Sequence, residues 1–539
     1  MNSNISYREA LEKYTPKKES SLPPTTTAKG ALLEEFHPDY ITECRTTLKS
    51  GVNRGDSCHT QLAELLQSDS RINEANLAGA ETIETDVLVI GGGGAGCAAA
   101  LIAQQNGARV ILATKLRLGD SNTVMAEGGI QASLNREDTP QLHYDDTISA
   151  GHNRSDPKLV SKLVLDGPDV IRWLIQQGMQ FDLDEFGDIL TRRAGGSSAD
   201  RICFYRDYTG LEMMRILRES VHNSNIEVWD YSPTVELLGD EQGGCSGAVI
   251  SSLQQKRYIQ VSAKSVIIAT GGIGRMHLNG FPTSNHFGAT GDGLVLAYRM
   301  GVKLRDLDSF QYHPTGLSHP NHLTGSLITE GVRSCGTWLL NGNGERFIDE
   351  LSARDVVAAA VIKEGREGRG ITTEDGNVGV WLDTPGLELR SPGILAERFP
   401  KLISLGKKAA IDPTKEPLLI YPTLHYQNGG AVIDVDGRTE VDGLFCCGEV
   451  SGGIHGKNRL MGNALLEIIS FGRRAGLAAA ERKKLRHNGQ LSIEHLNQLR
   501  RELSEENLSL EKQGPLLFPD YAKFDLDSDY SKLRRTQKI

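Results

Sequence analysis

No run of about 18 apolar residues occurs in this chain, so no membrane-crossing helix is expected. The first residues, MNSNISYREALEKYTPKKES, lack an apolar core, a twin arginine and an Ala-x-Ala cleavage pattern. No secretory leader is therefore expected, and a cytoplasmic location is. Positive charge is in deficit. Against 69 Asp and Glu stand 59 Lys and Arg, a formal net charge of −10, which disfavours a nucleic-acid partner. Clustered cysteine is missing as well. The eight Cys are scattered, with no Cys-x-x-Cys, no haem-attachment motif and no ferredoxin spacing. Neither a disulfide framework, a c-type haem, an iron–sulfur cluster nor another metal site is expected.

What is abundant is glycine, 59 in 539 residues, where ~7% is usual. A chain this long suggests roughly three to four structural units at about 150 residues each. Asp86–Ile90 reads as a buried strand. Gly91-x-Gly93-x-x-Gly96 follows directly, enclosing Gly94 and Ala95, and then CAAALIAQQNG, a helix with a glycine stop. ARVILATK supplies the second strand. Gly91 allows the tight turn, Gly93 lets backbone approach a pyrophosphate, and Gly96 lets helix and strand pack closely. The helix N-terminus then offers free N–H groups to the phosphates.

Two distant returns of the chain favour FAD over NAD. One is Ala269-Thr270-Gly271, at the end of a strand; the other is the strand–glycine turn from Gly443 to Glu449. Glu449 is suited to accept hydrogen bonds from ribityl or ribose hydroxyls. Thr114 and Lys115 stand where many such folds place a ribose-binding carboxylate.

A longer series of blocks shares one order along the chain. It runs through Ser121-Asn122-Thr123, Ala126-Glu127-Gly128-Gly129, Asp207-Tyr208-Thr209-Gly210, Thr290-Gly291-Asp292 and His313-Pro314-Thr315-Gly316. Thr329-Glu330-Gly331-x-Arg333, Ala353-Arg354-Asp355, His425-Tyr426-x-x-Gly429-Gly430 and His455-Gly456-x-Asn458-Arg459 complete it. Over about residues 85–480 the sequence resembles the flavoprotein subunit of the fumarate reductase and succinate dehydrogenase family, which also includes L-aspartate oxidase.

The resemblance implies an α/β fold: a Rossmann-like FAD-binding domain in two parts (81–307 and 425–482), an inserted α+β capping domain (308–424) and a helical C-terminal region (483–539). Residues 1–80 form an extension of no assigned chemistry, either docking onto a partner or solvated. The resemblance also implies that His425 and Arg459 hold one carboxylate of a C4 dicarboxylate, and His313 and Thr329 the other. Arg is suited to gripping carboxylates. Arg354 matches the family's proton donor, with Glu330 and Arg333 as its relay, while hydride leaves flavin N5. Gly128, Gly129, Ala464 and Leu465 would border the flavin, and the helix opening at Asn463 would point its positive end at it.

Two departures matter. Respiratory members attach FAD through a His where this chain has Asn122, so FAD is expected to bind non-covalently and the direction to favour fumarate reduction. Aspartate oxidases carry an acidic residue where this chain has Ala194. The expected function is fumarate reduction to succinate, with electrons from a partner iron–sulfur protein and docking on the inner membrane face through partners. The alternatives are succinate oxidation, L-aspartate oxidation or a non-catalytic flavin carrier. Arg346 and His455 are read as structural.

Overall fold

The computed structural model describes residues 4–19, 29–484 and 490–519. Its larger sheet has seven strands. Glu81–Ile90 lies between Val110–Ala113 and Arg257–Ile268, parallel to both. Val87 to Ile90 are buried, as a central strand covered on both faces requires. Beyond Val110–Ala113 comes Glu227–Trp229. On the other side Arg257–Ile268 also pairs with Leu444–Cys446, in parallel, and with Cys245–Ser252, antiparallel. KRYIQVSA and KSVII, which read as two strands, are one continuous strand of 12 residues. No glycine or proline interrupts them, so nothing turns the chain. The helix Gly94–Gln105 packs against Asn463–Glu481 on one face of this sheet.

A second sheet belongs to the cap. Its order is Ile5–Ser6, Ile371–Thr372, Val378–Leu382, Leu418–Gln427 and Phe310–Leu317. The helix Arg354–Arg366 packs across it. Val357, Val361, Val380, Leu382, Leu418 and Ile420 share its apolar core. Phe310–Leu317 and Leu418–Gln427 pair with each other. They carry His313, paired with Thr423, and His425, which sits at the register shift between Leu424 and Tyr426.

The described part of the N-terminal extension, residues 4–19 and 29–80, packs onto its own chain rather than standing as a solvated leader. Ile5–Ser6 adds a strand to the edge of the cap sheet beside Ile371–Thr372. Tyr7 and Tyr14 cover Trp381, and the Tyr14 hydroxyl donates to Asp383. Leu32, Leu33 and Phe36 enter the cap core. Asp39 then accepts from the Phe310 N–H at 2.8 Å. Further on, Leu48, Leu62 and Leu66 enter the core of the first domain. One segment thus packs into both domains of its own chain. Its amphipathic pieces are too short to read as domain elements without the surfaces they cover.

The helix Glu494–Glu505 buries Leu496, Leu499 and Leu503. Gln513–Gly514 returns to pair with Asp69–Ser70. Arg299, fully buried, ties this junction together. It donates to Glu236 at 2.9 Å, to the Gly514 carbonyl at 3.0 Å and to the Ser68 and Asp69 carbonyls at 2.8 Å each.

Candidate active site

Two cavities share part of their lining, and the cap covers the second. The first runs along the ends of the central strands and is lined by Gly91 to Ala95, Thr114, Lys115, Ala269 to Gly271, Asp292 and Glu449. Its floor is built for close backbone approach. Gly91 has φ of +117°, and a Cβ there would sit 2.3 Å from the Ala269 carbonyl oxygen. A Cβ on Gly96 would sit 1.8 Å from the Gly91 carbonyl oxygen, so the helix reaches the turn only with glycine there.

Lys115 does not stand free at the end of its strand. Its Nζ pairs with Asp292 at 2.6 Å and donates to Thr290 Oγ1 at 2.9 Å. Burial pushes the Glu449 carboxyl up to about 7. It accepts from Gln427 N–H at 3.1 Å and from Asn122 Nδ2 at 3.3 Å. Ser121, Asn122 and Thr123 line the same cavity. The glycine floor and the buried Glu449 carboxylate in one lining fit FAD.

The second cavity shares Asn122, Thr123, Glu449 and Ile468 with the first. Its lining brings together Gly128, Gly129, His313, Thr329, Glu330, Arg354, His425, Arg459, Ala464 and Leu465. Asn463 stands apart. Its side chain turns away to His143 at 2.8 Å and Thr147 at 3.0 Å.

Arg354 opens the helix Arg354–Arg366, and its Nε donates to Glu330 Oε2 at 2.7 Å. Arg333 meets the same oxygen at 3.1 Å. Glu330 and Arg333 lie three residues apart on one short helix, which puts them on one face. Burial works against the Glu330 charge, but Arg354 and Arg333 hold its carboxyl down at about 2. Its other oxygen accepts from Gly195 N–H at 2.8 Å. The loop beside Ala194 therefore seats the Glu330 carboxylate.

Gln311 was not anticipated from the sequence. Its Oε1 accepts from Arg354 Nη1 at 2.9 Å and from Arg459 Nη2 at 2.8 Å. It lies two residues before His313 on one strand, hence on the same face; that spacing was the available signal. Burial, with Arg354 nearby, pulls the Arg459 guanidinium down to about 10. Burial likewise holds His313 and His425 well below the ordinary histidine range, Arg354 adding to it. The two rings lie 5.0 Å apart, and His425 Nδ1 is bonded to Ser284 Oγ at 2.8 Å.

Tyr426 places its ring 4.5 Å from the Arg459 guanidinium. Its hydroxyl donates to the buried Glu467 at 2.7 Å, and His455 contacts that carboxylate oxygen at 2.7 Å. His455 thus pairs with a carboxylate rather than with backbone. Arg346, read as a turn residue, pairs with Glu350.

The FAD binding domain family matches residues 86–465. The chain is 40% identical over 412 residues to a fumarate reductase (CoM/CoB) protein of Methanothermobacter marburgensis, covering 74% of this chain and 73% of that one. It is 36% identical over 413 residues to L-aspartate oxidase of Streptomyces coelicolor, covering 74% and 69%. A solved structure of an E. coli quinol fumarate reductase variant aligns with a TM-score of 0.72 at 30% identity, over 85% of this chain and 81% of that chain. A dinucleotide cradle opening onto a capped, arginine-rich pocket defines an FAD-dependent oxidoreductase. The chain belongs to the fumarate reductase flavoprotein family.

Proposed function

We propose that this protein reduces fumarate to succinate. The observation that carries the reading is Arg354 bonded to Glu330 at 2.7 Å inside a cavity that also presents His313, Thr329, His425 and Arg459. A C4 dicarboxylate needs cationic and hydrogen-bonding groups at both ends, and bidentate guanidinium contacts suit it. Bound FAD supplies the hydride to one alkene carbon. Arg354 delivers the proton to the neighbouring carbon. A guanidinium is a poor free acid, so it needs a reload. Glu330 Oε2 touches both Arg354 and Arg333, and the proton returns along Arg333, Glu330 and Arg354. The side chains of Arg354, Glu330 and Arg333 are at most 6% exposed, which keeps bulk water from competing with this transfer.

FAD is held non-covalently in this reading. Asn122 has no ring nitrogen to alkylate, and its amide is engaged by Asn285 at 2.6 Å and by His286 N–H at 2.6 Å. Electrons arrive from a separate iron–sulfur protein in this reading, which rests on the scattered spacing of the eight cysteines in the sequence. Docking at the inner membrane face through partners belongs to the same reading. Among the described residues no helix is long and apolar enough to cross a membrane.

L-aspartate oxidation is the second reading, favoured by the relative of that name and by Asn122 and Glu467. Glu467 is spent on Tyr426 and His455, outside the cavity lining. Steady-state assays of the FAD-loaded chain test the choice. Turnover of fumarate with reduced methyl viologen is expected. Turnover of L-aspartate with oxygen, and none of fumarate, would replace the proposal with the oxidase.

A further inference from the structure

The last described residues, Gln513 to Pro519, come back to the dinucleotide cavity from outside it. Gln513–Gly514 is anchored by its pairing with Asp69–Ser70 and by Arg299, which donates to the Gly514 carbonyl at 3.0 Å. Leu517 then donates its backbone N–H to Asp292 Oδ1 at 3.2 Å, 225 residues away in sequence. Its φ is +65°, a backbone conformation that non-glycine residues seldom adopt. The same Asp292 oxygen accepts from Thr290 Oγ1 at 2.9 Å. One residue on, the Phe518 ring stacks on Phe287 at 6.0 Å and lies 5.6 Å from Lys115 Nζ, within cation–π range.

Asp292 and Lys115 line the cavity, whereas Leu517 and Phe518 do not. The segment therefore bears on the wall of the cofactor site from behind. Lys115 Nζ donates to the Gly288 carbonyl at 2.8 Å, to Thr290 Oγ1 at 2.9 Å and to Asp292 Oδ2 at 2.6 Å. One Asp292 oxygen is thus fixed by Lys115 and the other by Thr290 and Leu517. A carboxylate fixed at both oxygens keeps one orientation, so less freedom is lost when a ligand meets it. We propose that Leu517 is a positioning residue of the FAD site: its backbone N–H holds Asp292 in place, and the segment anchored by Phe518 thereby sets how tightly FAD binds. The proposal rests on the reading that FAD binds non-covalently.

The test titrates FAD into the FAD-free full chain and reads Kd from the flavin absorbance. Leu517→Pro and Leu517→Gly both remove the apolar side chain. Only the glycine variant keeps the N–H and tolerates the positive φ. Leu517→Pro is expected to raise Kd about tenfold over Leu517→Gly, as loss of a hydrogen bond to a charged group does. Phe518→Ala leaves the backbone donor but frees the segment, and is expected to raise Kd about threefold. In an Asp292→Ala background the proline and glycine variants should bind FAD equally, because the acceptor is gone. A gap that persists without Asp292 would overturn the proposal, since proline would then act by disturbing the fold at large. Equal Kd values for the proline and glycine variants with Asp292 present would overturn it as well, and an unchanged Kd in Phe518→Ala would do the same. Flavin that stays with the acid-precipitated parent would refute non-covalent binding separately. The proposal is then decided by the rate of FAD uptake: the same ordering of the variants supports it, and equal rates overturn it.

Discussion

One oxygen of Glu330 meets both Arg354, at 2.7 Å, and Arg333, at 3.1 Å. That shared contact links three residues that are each ordinary alone, and in the proposed reading it is the path of the proton. It also predicts graded effects. Arg354→Ala should lower fumarate reduction by about 10²–10⁴-fold, the span expected for losing a positioned acid. Glu330→Gln should keep Arg354 hydrogen-bonded but interrupt the reload. Its defect should appear in kcat and in the solvent isotope effect, with FAD content retained. Equal activity in Glu330→Gln and parent would remove Glu330 from the path.

Gln311 joins Arg354 to Arg459 through one carbonyl oxygen. Gln311→Leu should cost about 1.5–3 kcal/mol of transition-state binding, the range for hydrogen bonds to charged groups. That corresponds to roughly a tenfold to hundredfold fall in kcat/KM. Gln311→Glu would place a charge between the guanidiniums and should bind a dianion worse still. Steady-state kinetics of the three proteins checks the order.

Acid stability follows from the Arg299 junction. Burial opposes the Glu236 charge, but Arg299 holds its carboxyl down at about 2. A depressed carboxylate contributes stability that is fully present above its unfolded value near 4.5 and is lost as pH falls towards 2. The acid limb of the stability curve should therefore be shallower in Glu236→Gln. Arg299→Met leaves a buried carboxylate uncompensated and should cost about 3–5 kcal/mol at neutral pH. Thermal unfolding across pH 3 to 7 measures both.

The N-terminal segment should be structural in both domains. Leu33 lies in the cap core and Leu62 in the core of the first domain. Each change to Ala should destabilise by about 2–5 kcal/mol, as buried leucine truncations do. Unchanged melting in both variants would mean the segment is dispensable.

The dinucleotide turn was legible because its chemistry is local: Gly91, Gly93 and Gly96 are needed within six residues, next to one strand and one helix. His313, Glu330, Arg333, Arg354, His425 and Arg459 were legible as blocks in a shared order. Their distances were not, because four elements and the loop that holds Arg459 bring them together. Gln311 and Tyr426 sat beside anticipated residues, and only strand alternation or a buried partner shows where they point. The Leu517–Asp292 contact joins residues 225 apart in sequence and leaves no local trace. The extension of residues 1–80 was opaque for the same reason, since its short apolar pieces acquire meaning only from the cores that receive them.

The most direct test of the central claim is a single-turnover experiment. The FAD-loaded protein is reduced anaerobically, mixed with fumarate, and followed by flavin absorbance. Rapid reoxidation in the parent, lost in Arg354→Ala while FAD content is retained, is the predicted result. Reoxidation at equal rates in both proteins, or none in the parent, would contradict it.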